Sequence, residues 1–162
     1  MKKLFSIGIL CALLLGMAGC VDKEAKEAVK TYVDTTSVSL KEQEQRMLAS
    51  YSSVIGMNYK DDNTLCMELV TNTIPMADGL VGAASVITET ITNEELLEVH
   101  ELYVIYATEF VDALRLLLKA VDEQDETYTR AANEKLGNAD TYAKEFRAGL
   151  QELKEKYKLE EE

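Results

Sequence analysis

Apolar residues in this chain recur at steps of three, four and seven along four stretches of roughly 30 residues each, the spacing that lines one face of an α-helix. The first, read from Lys23 to Ile55, carries Ala25, Val29, Tyr32, Val33, Leu40, Met47, Tyr51 and Val54, interrupted by Thr36, Ser37 and Gln43. The second, Asp62 to Ile91, carries Leu65, Leu69, Thr73, Met76, Leu80, Ala83 and Ile87. The third carries Leu96, Val99, Tyr103, Tyr106, Phe110, Ala113, Leu117 and Val121, with Ile105, Leu116 and Leu118 off that row. A helix apolar around most of its girth belongs at the centre of an assembly or against a second molecule. The fourth, ending near Leu159, carries Tyr128, Ala132, Leu136, Ala139, Ala143, Phe146, Leu150, Leu153 and Tyr157. The chain has a single proline, and few turn-formers with many Ala, Glu, Lys and Leu argue for helices. The expected fold is all-α, an up-down-up-down four-helix bundle with helices about 45 Å long at 1.5 Å per residue.

The breaks between helices are marked unequally. Gly56 is a C-terminal stop, followed by the polar run Asn58 to Asn63. Thr92 with Glu95 reads as a capping box and Ile91 with Leu96 as a staple, which sets the third helix to begin after Thr92. The third and fourth apolar rows run in phase through Asp125, so one very long helix, a turn near Gln124 or a break at Gly137-Asn138 all fit. A turn near Gln124 is preferred because it gives four helices of similar length. Inside the second helix, Pro75 removes an amide donor and crowds the preceding turn, so a kink or a break is expected there. Gly79 and Gly82 follow, and small residues either admit a close neighbour or leave room for a ligand. Close packing is the commoner use. Tyr103 and Tyr106, if opposite these glycines, would line a small amphipathic cavity.

The first twenty residues are of a different kind. Lys2 and Lys3 precede an uncharged apolar run from Leu4 to Met17, then Ala18-Gly19-Cys20. A positive start, a short apolar stretch and small residues before a cut site make a secretory signal. The run is too short to span a bilayer, which takes about 20 apolar residues. Met17-Ala18-Gly19-Cys20 resembles the lipobox of bacterial lipoproteins, although Met17 stands where Leu, Val or Ile is usual. The resemblance implies that the Cys20 thiol receives a diacylglycerol, that residues 1–19 are cleaved, and that fatty acyl chains such as palmitate hold the protein to a membrane outside the cytoplasm. Val21, rather than Asp, at the next position points to the outer membrane where the source has one. Residues 20–24 then form a very short tether, and residues 25–159 the bundle domain.

Charge limits the partners. The chain has 17 basic and 29 acidic residues, and loss of Lys2 and Lys3 with the signal takes the formal charge from −12 to −14. Such a surface repels nucleic acid and anionic headgroups. Membrane attachment would therefore rest on Cys20, for which two acyl chains suffice. A protein partner selected by charge would be basic. With Cys11 lost and Cys20 lipidated, Cys66 has no intramolecular partner, and a buried, inert thiol is expected.

Catalytic patterns are few. His100 is the single histidine, Leu97 stands where a Glu-x-x-His metal motif needs Glu, and a boundary histidine satisfied by a carboxylate is expected. The acidic run Asp122 to Glu126 fails the calcium-loop spacing, with Thr127 at the sixth position and Asn133 at the twelfth. No phosphate loop is present. No metal or cofactor is expected. The functional expectation is a non-catalytic binding or scaffolding module on a lipid tether. The alternative is a small-ligand or sensor-like bundle with its cavity at Pro75 to Gly82.

Overall fold

The computed structural model describes residues 23–159. The expected signal and the lipidation site, Cys20, lie outside the described residues. Within them the chain is helical, joined by short turns, with no strand. Four long helical stretches are present among the described residues: α1 over residues 23–52, α2 over residues 62–88, α3 over Glu94–Glu123 and α4 over Glu126–Lys156.

Both α1 and α2 contain a π turn, at Tyr32–Thr36 and at Leu69–Thr73. A π turn adds one residue to a helical turn and so resets which face points inward. This explains why the polar residues of α1 interrupt its apolar row. Tyr32 and Leu40 are both buried although eight residues apart. The Thr35 and Ser37 hydroxyls, around the turn, donate to carbonyls four residues back, at Thr31 (2.6 Å) and Val33 (2.7 Å). In α2, Thr71 does the same to Met67 (2.7 Å), and buried Thr73 meets the Ser50 hydroxyl of α1 at 2.7 Å. Hydroxyl back-bonding of this kind distorts helices. Pro75 sits just after the second π turn, at the start of Ile74–Thr88. The backbone stays helical from 62 to 88, so α2 is not broken at Pro75. The π turn takes up the altered hydrogen bonding next to a residue that has no amide to give.

The helix ends show which local signals act. Gly56 adopts φ 58°, a left-handed conformation that glycine reaches without a Cβ clash, and α1 has already ended at Ser52. Asp61 caps α2 by accepting from the Thr64 amide at 2.7 Å. The cap of α3 is Asn93, not Thr92: Asn93 Oδ1 accepts from the Leu96 amide at 2.8 Å, and its backbone is extended (φ −85°, ψ 117°). Glu95 does not fold back to complete a capping box. It turns to Lys156 and to the Tyr157 hydroxyl (3.2 Å) of the α4 end instead. Between α3 and α4, Gln124 takes a left-handed conformation (φ 51°) and Asp125 caps α4 through the Thr127 amide (2.8 Å). The preferred turn near Gln124 is therefore the observed one, and Gly137 lies inside an uninterrupted helix.

α3 is the central element. It packs along α4, against α2, and buries ten of its residues, from Leu96 to Ala120. A chain of rings runs through the interior: Tyr32, His100, Tyr103, Tyr106 and Phe110, with Tyr51 and Phe146 joining from α1 and α4. Offset and edge-on ring pairs of this kind add to the area they bury. Salt links at the surface join α3 to α2 (Arg115–Asp78, 2.6 Å) and to α4 (Lys135–Glu109, 2.6 Å).

Candidate functional site

Of the four residues expected to share a cavity, Tyr103 and Tyr106 occupy one, and Gly79 and Gly82 are elsewhere. Both glycines are on the exposed side of α2, and a Cβ at either would meet no atom within 4 Å. Neither glycine is therefore required by close packing. The small residue that close packing does require is Gly149, where a Cβ would come within 2.9 Å of Val99 Cγ2.

Tyr103 and Tyr106, three residues apart on α3, form the floor of a groove of about 410 Å³ between α1 and α4. This volume falls in the range of small-molecule sites. α1 supplies Leu40, Glu44 and Leu48 at four-residue spacing, so a carboxylate interrupts an apolar ridge. α4 supplies Ala143, Phe146 and Leu150. Phe146 lies with its ring centroid 5.0 Å from that of Tyr103. Lys41 and Arg147 stand on opposite walls.

Hydrogen bonding fixes the floor. The Tyr106 hydroxyl donates to Glu44 Oε1 at 2.8 Å and the Tyr103 hydroxyl to Glu44 Oε2 at 3.3 Å. Burial, reinforced by the Glu44 carboxylate, pushes both phenols far above the ordinary tyrosine range. They remain donors at any physiological pH, and each of the two Glu44 oxygens accepts one of them. The Arg147 guanidinium is near enough to oppose part of the upward shift at Tyr106. The site thus offers apolar and aromatic walls, one oriented carboxylate and two cations. It contains no nucleophile paired with a base.

His100 lies behind the floor, fully buried, and bonds to no carboxylate. Its Nε2 donates to the Ala84 carbonyl (2.8 Å), and its Nδ1 accepts from the Tyr32 hydroxyl (2.7 Å). The carbonyl can only accept, which fixes the neutral tautomer. The expected boundary histidine is thus a core residue that joins α1, α2 and α3. Its position was legible from the row Leu96, His100, Tyr103, whose steps of four and three place it on the inner face. Cys66 is half-buried rather than enclosed; partial burial, then Asp62 and Asp122, push its thiol up, which keeps it protonated.

Glu44, Lys41 and Arg147 did not stand out in the sequence. The one available signal was the carboxylate between Leu40 and Leu48. Among the described residues no group of His, Cys, Asp and Glu is arranged to hold a metal ion, and no helix is long and apolar enough to cross a membrane. No family model matches the chain, and no curated protein or solved structure is similar to it.

Proposed function

We propose that this chain is a lipid-anchored, non-catalytic binding module whose helical bundle takes a small ligand in the groove between α1 and α4. The observation that carries the reading is the floor of that groove, where two buried tyrosines orient the Glu44 carboxylate beneath apolar walls. A few convergent polar groups in a mostly apolar recess are the usual make-up of a ligand site. On this reading the ligand sits between α1 and α4 rather than at Pro75 to Gly82.

The remaining parts of the reading rest on the sequence. Met17-Ala18-Gly19-Cys20 supports cleavage of residues 1–19 and lipidation of Cys20 on the outer side of a bacterial membrane, the outer membrane where there is one. The acidity supports exclusion of nucleic acid and a preference for a basic protein partner. An up-down-up-down arrangement is supported by contacts between helix ends. The start of α3 meets the end of α4 through Glu95 and Lys156, and the end of α1 meets the first third of α2 through Ser50 and Glu68 (2.6 Å). Bending of α2 at Pro75 is supported by the π turn before it.

Binding is tested with 1-anilinonaphthalene-8-sulfonate, an amphipathic fluorescent anion suited to apolar walls beside Lys41 and Arg147. Saturable enhancement is expected with the wild type. Ala143→Leu, which adds bulk at the buried wall of the groove, should abolish it while a circular-dichroism spectrum still shows the helical fold. Equal enhancement by both proteins would remove the groove from consideration.

A further inference from the structure

The groove carries both signs of charge in a fixed order. Lys41 and Glu44 are three residues apart on α1 and so lie on one face, about one helical turn from each other. Arg147 faces them from α4. Neither Lys41 nor Arg147 makes an ion pair with another described residue, although acidic residues dominate the chain. Glu44 likewise has no cation within ion-pair distance among the described residues; it is held by two neutral phenols. A simple anion would meet Lys41 and Arg147 but be repelled by Glu44 at the floor. A simple cation would meet Glu44 beside Tyr103, Tyr106 and Phe146, but would be repelled by the two rim cations.

We propose, resting on the reading that the groove binds a small ligand, that its ligand is a zwitterion: an ammonium over Glu44 and the aromatic floor, and an acid group between Lys41 and Arg147. The two charges are separated by about one helical turn, ~5 Å, and the ligand's apolar part lies along Leu40 and Leu48. This chemistry occurs in a phospholipid headgroup and in a free ω-amino acid, and the two sources are separable by experiment.

The full chain is titrated calorimetrically with hexylphosphocholine and 5-aminopentanoate, which carry both charges, and with hexylammonium and hexanoate, which carry one. At least one zwitterion should bind about tenfold or more tighter than either single-charge probe, since each charge-assisted contact is worth that much or more. Tighter binding of hexylphosphocholine identifies a lipid headgroup, and tighter binding of 5-aminopentanoate a free solute. Glu44→Gln keeps an oxygen for a tyrosine donor and should reduce the zwitterion to the affinity of hexanoate. Arg147→Met, at an exposed position, should reduce it towards that of hexylammonium. A single-charge probe that binds as tightly as both zwitterions overturns the inference, as does zwitterion binding unchanged in both variants. If none of the four binds while the naphthalene sulfonate does, the zwitterion is overturned and the groove stands; if that probe fails too, both fall.

Discussion

A buried histidine with both nitrogens engaged resists a proton, and His100 is such a residue. Nε2 already donates to Ala84, so protonation must occur at Nδ1, where the Tyr32 hydroxyl donates. A new Nδ1–H would oblige Tyr32 to turn its own proton away from the ring nitrogen that now accepts it, breaking that buried hydrogen bond. Burial is the main cause that holds the His100 pKa below its usual 6.5; the Ala84 carbonyl and Glu101 on its own helix pull partly the other way. The folded state therefore binds fewer protons than the unfolded one just below pH 6.5. Stability should be at its full value above that pH and decline as pH falls through it, until the folded-state pKa is reached. The slope for one such proton is at most about 1.4 kcal/mol per pH unit. Urea melts between pH 8 and 5 measure it, and His100→Gln should flatten the curve in that window. An unchanged slope in the variant would assign the pH dependence to other groups.

At the scale of the element, caps and close approaches were unevenly written in the sequence. Most of the seams, the Gln124 turn and the central α3 were legible because long apolar periodicity integrates over many residues; in α2 the row slips after Thr73, where Ala77 and Ala84 are buried and Met76 is exposed. The α3 cap was misplaced by one residue, since Thr92 and Asn93 are both good caps and the choice depended on Glu95, which Lys156 and Tyr157 draw away from another helix. Asn93→Ala should therefore cost about 1 kcal/mol, and Thr92→Ala much less, by chemical denaturation. Equal costs would mean that both side chains share the cap. The π turns had no readable signal, because Thr and Ser back-bonding competes with ordinary helix only once packing on both sides is fixed. Glycine roles were likewise settled by neighbours. Gly82 faces open space, so Gly82→Ala should stabilise α2 by roughly 0.5–1 kcal/mol through helix propensity alone. Gly149→Ala carries the same propensity gain, but its Cβ meets branched Val99, and the melting temperature should fall. A rise in both variants would show that α3 and α4 can separate slightly at no cost.

For the whole molecule, the decisive quantity is the balance between its charge and the proposed anchor. With residues 1–19 removed the chain carries −14, so an anionic membrane surface repels the bundle rather than holding it. On the proposed lipoprotein reading, attachment depends on hydrophobic insertion at Cys20, and two acyl chains give stable anchoring where one gives only marginal binding. Two outcomes follow that a surface-adsorbed protein would not share. Washing membranes with concentrated salt should leave the wild type in place, because no attractive ionic contact is being screened. Cys20→Ser, which has no thiol to accept a diacylglycerol, should leave the membrane fraction at every salt concentration. Fractionation with intact-mass measurement reads both. Recovery of Cys20→Ser in the membrane with the wild-type lipid mass would defeat the anchor, and release of the wild type by salt would replace it with an electrostatic one.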